Sequence, residues 1–176
     1  MIRDFYSYIQ EQDDDDVISY SFLTSHGLLY YVYFDPYEYN DHIGRYPHLL
    51  NSGYGFGFHR MSKGKGWIND PKTGETISKI IFDFIEDRGN DVVLLYHCDY
   101  SDAKQKGRDK IFNNWYTKSK IKKAIIKKSV KVSQIEENGK ETDYFMGYLT
   151  TIENPKKEEV EIEFTTFAEN LVSGKP

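Results

Sequence analysis

The stretch Gly53-Tyr54-Gly55-Phe56-Gly57-Phe58 alternates a glycine with an aromatic ring at every step. A strand has a side-chain period of two, so it sends the three rings to one face and the three glycines to the other. The bare glycine face admits a neighbouring backbone or a large side chain. Nearby tyrosines folding over it is the expected structural outcome. The functional alternative is a flat ligand-binding face that uses Tyr54 and Phe56.

Residues 17–24 and 28–35 flank the short turn Ser25-His26-Gly27 and read as a hairpin. Pro36, which lacks an N–H donor, ends the second of these strands. Residues 36–50 read as a polar and aromatic loop. Fifteen of the 28 aromatic residues lie between Phe5 and Phe58, so rings concentrate on these first strands. Lys63-Gly64-Lys65-Gly66 is a basic loop leading to Asn69-Asp70-Pro71, a helix start. Ile77, Ile80, Ile81, Phe84 and Ile85 mark an amphipathic helix over 72–87, capped by Gly89. Residues 91–98 are an unbroken apolar run, expected as a central strand covered on both faces.

Ser101 or Asp102 is expected to cap a helix over about 102–117. Residues 120–133 read as a long strand, Asn138-Gly139 as a tight turn, and 142–152 as the returning strand. Val160, Phe164, Phe167 and Leu171 have helical spacing. Ile162 falls off that stripe, which leaves a strand over 158–166 as the alternative. The resulting class is α+β: a mainly antiparallel sheet of about six strands with helices packed on one face, in the order β-β-β-α-β-α-β-β-α. One domain over 1–176 is expected, with mobile ends at 1–14 and 173–176.

The net charge of -5 conceals a segregated layout. Residues 104–131 hold eleven basic residues and one acid, Asp109, a net of +10; the remainder holds 12 basic and 27 acidic residues, a net of -15. On the expected strand, Lys123, Lys127 and Lys131 share a face and form a candidate docking row for an acidic partner. The same row would discourage edge-to-edge pairing of strands, or meet the acidic part of a second copy.

The segment from Cys98 to Arg108 joins the central strand to a helix and is the best candidate for chemistry. Asp99 and Asp102 are candidate acid–base groups and Arg108 a candidate anion clamp. Capping explains the same residue types. His97 and Cys98 point to opposite strand faces and cannot share a metal, and His26, His42, His48 and His59 lack ligand spacing. No metal and no cofactor is expected, because no phosphate-binding loop or ligand motif is present. Glu158, Glu159, Glu161 and Glu163 read as a solvated, dipole-favoured helix start. The single cysteine, Cys98, excludes an intramolecular disulfide and fits a reducing cytosol. No apolar run is long enough to span a membrane, and no signal-peptide core follows Met1.

Cys98-Asp99, Ser101-Asp102, Lys104-Gln105, Arg108, Phe112 and Trp115 together resemble the signature of a small uncharacterised bacterial family, a domain of unknown function found largely in Bacteroidota. Gly27-Leu28, Val32-Tyr33-Phe34, the Tyr54–Phe58 strand and Glu153-Asn154-Pro155 are similar to it as well, so the resemblance spans about residues 15–170. It implies a cytoplasmic bacterial protein and transfers no activity. The leading expectation is a non-enzymatic binding or accessory module that meets a protein partner or a second copy through Tyr54, Phe56, Lys123, Lys127 and Lys131. The alternative is a small enzyme or nucleotide-binding protein using Asp99, Asp102 and Arg108. A third reading is a nucleic-acid-associated protein. No membrane association is expected.

Overall fold

A computed structural model describes residues 4–63, 66 and 68–173 of the chain. Gly64 and Lys65 of the expected basic loop lie outside the described residues, as do the first three and last three residues.

The chain opens with three strands, β1 (Tyr8–Gln12), β2 (Ile18–Leu23) and β3 (Leu29–Asp35). Two short helices follow, α1 (Asn40–Ile43) and α2 (Pro47–Ser52), and then β4 (Gly53–Arg60). The remainder runs α3 (Pro71–Arg88), β5 (Val93–His97), α4 (Gln105–Lys118), a 3-10 turn (Lys120–Lys123), β6 (Ile125–Ile135), β7 (Glu141–Thr151) and α5 (Lys157–Ser173). The strands form one sheet in the order β1-β2-β3-β4-β5-β7-β6. Among the described residues, β4 and β5 are the one parallel pair; the other five neighbour pairs are antiparallel.

The sheet has seven strands rather than six. The added strand, β1, pairs Tyr8 with Phe22 through Gln12 with Ile18. Its residues do not alternate, since Ile9 and Glu11 share a face. Its place comes from backbone pairing, from Tyr8 packed edge-on against Tyr20 at 5.8 Å, and from the Tyr8 hydroxyl bonded to Asp83 on α3. The stretch expected to be a loop at 36–50 instead holds α1 and α2, with Ile43 and Leu49 buried. Residues 158–166 belong to α5, whose Val160, Phe164 and Phe167 are buried while Ile162 stays 70% exposed.

Helices cover both faces of the sheet, not one. Strand β5 shows why: alternate residues enter two separate cores. Leu94 and Tyr96 pack with Ile77, Ile80, Ile81 and Phe84 of α3 and Phe112 of α4. Val93 and Leu95 pack with Val160, Phe164 and Phe167 of α5 and with Tyr39, Ile43, Tyr46 and Leu49. The expectation of a central strand buried on both sides therefore holds. Burying such side chains contributes roughly 1.5–3 kcal/mol each.

The glycine strip is covered as the alternation predicts. The Tyr33 ring lies over Gly57 and the Glu38 side chain over Gly55. On the other face Phe56 is buried, 5.5 Å from Phe34. Gly147 on β7 is a further close approach, since a Cβ there would overlap the Lys128 carbonyl and the Tyr96 hydroxyl. The carbonyl is backbone and cannot swing away. Gly147→Ala is therefore expected to cost about 1–3 kcal/mol, read as a lower denaturant midpoint.

Candidate functional site

The aromatic face is a core surface and not a flat ligand platform. Phe56 contacts Phe58 and Phe112, and Tyr54 meets Phe84 edge-on at 5.1 Å. The lysine row is also not one surface. Lys123 lies in the 3-10 turn, because the strand starts only at Ile125. Lys127 turns inward under α4. Lys131 is exposed and pairs with Asp143 at 3.6 Å. The alternation of the segment was legible, but the face taken as outer is the one that carries α4.

The strand-to-helix junction folds into a tight, solvent-facing turn. Ala103 adopts a left-handed conformation, φ 59°, which delays the helix start to Gln105 instead of 102. Asp99 accepts from the Ser101 N–H at 2.9 Å and Asp102 from the Lys104 N–H at 3.1 Å. Arg108 donates to both oxygens of Asp102, each at 2.6 Å, and to the Asp99 carbonyl at 2.8 Å. The structure thus brings Asp102 and Arg108 together. Arg108 holds the Asp102 carboxyl far below the usual range, and the Ser101 amide lowers that of Asp99. An exposed pair of this kind adds little stability. Its visible role is to fix the turn at the end of β5.

That turn follows a break in the backbone pairing of the sheet. The β4–β5 ladder pairs Gly53 with Val93, Tyr54 with Leu94 and Gly55 with Leu95, and then ends. Strand β4 continues to Arg60 along β3, and β5 continues to His97 along β7. Past Gly55 and Leu95 each strand keeps its antiparallel neighbour and loses the parallel one. The carboxyl halves of the two strands are thus unpaired with each other, a break in the ladder referred to below as the slot, at the place where ligands bind in many sheets containing parallel strands.

One side of the slot is the face under α4. Phe112 touches Phe58 at 5.5 Å and Tyr96 at 5.0 Å, spanning the two strands. The Lys127 ammonium lies 4.9 Å from the Phe112 ring and 5.2 Å from the Tyr96 ring and donates to Asn113. Burial pushes its pKa down to about 8, against the attraction of Asp109, whose own carboxyl burial raises. Asp109 Oδ1 and Gln105 Oε1 are buried without a hydrogen-bond partner in the structure, and the buried Tyr96 hydroxyl faces Ser129. Cys98 is buried there too, its thiol pushed up to about 11 by burial, so it is a poor nucleophile.

The other side carries the tyrosines over the glycine strip. Tyr33 donates to Glu38 at 3.2 Å, and burial raises the Glu38 carboxyl. Tyr39, buried against α5, bonds to His97 Nδ1 at 2.7 Å. Partial desolvation beside Tyr39 lowers the His97 pKa, although the residue is exposed overall and Asp99 pulls the other way.

Sequence reasoning did not single out Tyr96, Glu38 or Tyr39, and gave Gln105 only as part of the family resemblance. Asp109 carried one signal: it is the sole acid in the basic segment. Glu163 was also misread. It is mostly buried and accepts from the backbone of His48 and Leu49 at the start of α2 and from the His48 ring. No group of three His, Cys, Asp or Glu among the described residues is arranged to hold a metal ion. No helix among them is long and apolar enough to cross a membrane. Two concavities lie elsewhere: an open trough of about 550 Å³ bordered by Tyr8, Ile9 and Leu23, and a notch of about 160 Å³ between Arg45 and Asn170.

In comparison with known proteins, residues 69–165 match the family of unknown function DUF6169. The match holds the Cys98–Arg108 turn and the Lys127 cluster, whereas Val32–Phe34 and Tyr54–Phe58 precede it. No curated protein and no solved structure matches the chain.

Two outcomes are expected from this geometry. Ala103→Gly removes the left-handed penalty and gains about 0.5–1 kcal/mol, measured by denaturation. Lys127 has a folded pKa below its unfolded one. Its charged form is penalised in the fold at low pH, and that penalty is relieved as pH rises from about 8 to 10.5. The wild-type chain should therefore gain stability relative to Lys127→Met across that window, read from paired unfolding curves.

Proposed function

We propose, for a chain that belongs to the DUF6169 family of unknown function, a binding role centred on the slot between β4 and β5 and the Cys98–Arg108 turn at its mouth. The observation that carries it is the end of the parallel ladder at Gly55 and Leu95 while both strands run on. The reading keeps a non-enzymatic binding module and moves its site away from Tyr54, Phe56 and the lysine row. Rings and polar groups from both sheet faces converge there, which suits a small ligand. The lone buried thiol fits a reducing bacterial cytoplasm.

A catalytic role for Asp99, Asp102 and Arg108 has less support, because their polar atoms are engaged with turn amides and with one another. A nucleic-acid role is weakened by the inward turn of Lys127 and the pairing of Lys131. A protein partner retains one observation in its favour: Ile9, Leu23 and Leu29 are exposed on the face of β1–β3 that points away from α3.

The test is amide NMR of the full chain against a chemically mixed set of small fragments. Saturable shifts are expected at Phe56–Arg60 and Tyr96–Arg108. Shifts confined to the β6 lysines or to the exposed face of β1–β3 would remove the slot as the site.

A further inference from the structure

We infer that two copies of the chain meet edge to edge at β1, each β1 pairing antiparallel with the other about a two-fold axis at Ile9. Both ends of the sheet are open, because β1 and β6 each have one neighbouring strand. A free edge presents unpaired N–H and C=O groups that a further strand can accept. The two edges are guarded differently. On β6, Lys128 and Lys131 are exposed, and lysines on an edge discourage pairing. Strand β1 reads Tyr-Ile-Gln-Glu-Gln, with no lysine and no proline, and its Ile9 is 66% exposed. Leu23 and Leu29 are exposed on the same face as Ile9. Together with Phe5, Ser7 and Lys72 they border the open trough of about 550 Å³ at this edge.

The edge is complementary to itself. With Ile9 on the axis, Ile9 faces the partner's Ile9, Tyr8 faces the partner's Gln10, and Ser7 faces the partner's Glu11. No like charges oppose each other over these pairs. The exposed isoleucines cover one another, and apolar cross-strand pairs of this kind stabilise a sheet. Ser7 and Lys72 both border the trough, so the partner's Glu11 arrives on the side of the Lys72 ammonium, which stands 4.5 Å from the Tyr6 ring. Neither Lys72 nor Glu11 makes an ion pair among the described residues. One edge therefore carries the acid, the base and the apolar side chain that the contact needs. A second copy supplies all three in matching positions, as a closed two-fold interface requires.

Sedimentation of the full chain over a range of concentrations tests this. The mass should rise from 20.7 kDa toward twice that value. Ile9→Lys brings two ammonium groups to the axis and should weaken association roughly tenfold or more. Ile135→Lys, at the exposed end of the opposite edge, should leave association unchanged. Lys72→Glu should weaken it, and adding Glu11→Lys should restore it. Cysteine pairing reads the register, since Cys98 is buried and a new surface cysteine is the one that reacts. Ile9→Cys should oxidise readily to a linked dimer, because a residue on the axis faces its own mate; Gln12→Cys should not. A monomer at every concentration would overturn the inference. So would a dimer that survives Ile9→Lys, one that is lost with Ile135→Lys, or linking through Gln12→Cys as fast as through Ile9→Cys.

Discussion

Strand β5 has no solvent face along Val93–Tyr96, and the rest of the architecture answers to that burial. Alternate residues enter different cores, so each side of the strand has to be covered by helices of its own. The isoleucines of α3 and Phe112 of α4 meet Leu94 and Tyr96. The phenylalanines of α5 and the short helices before β4 meet Val93 and Leu95. The parallel pairing of β4 and β5 follows from the same arrangement. Parallel neighbours need a crossover, and α3 supplies it while covering one core.

The candidate site is a by-product of divided loyalty. Beyond Gly55, β4 satisfies its backbone against β3; beyond Leu95, β5 does so against β7. The buried polar groups on the two faces of the sheet come from distant parts of the chain: Tyr33, Glu38 and Tyr39 on one face, Asp109 and Lys127 on the other. The shifts of Glu38, Asp109 and Lys127 share one leading cause, which is burial.

Much of the element structure was legible from residue pattern. The Gly–aromatic alternation placed β4 and the covering tyrosine, because a period of two leaves no other arrangement of rings and bare backbone. The isoleucine spacing placed α3, and the Asp70-Pro71 and Gly89 signals placed its ends within a residue of the observed helix. The start of α4 was misplaced because Ala103 takes a left-handed conformation that its side chain does not advertise. Strand β1 was missed because an edge strand can be held by backbone pairing without a repeating apolar face. The expected site fared less well. The Cys98–Arg108 segment does sit at the mouth of the slot, but Tyr54 and Phe56 proved to be core and the lysine row dissolved.

By itself, the sequence determined the local periods, the turns, the segregation of charge and the need for a doubly covered central strand. These depend on side-chain spacing and backbone sterics, which act over a few residues. Only the tertiary structure decided which face of β6 lies under α4, where the parallel ladder stops and which polar groups are stranded beside it. Those outcomes depend on contacts between segments tens of residues apart. Period-two alternation names two faces of a strand and cannot say which one a helix will cover.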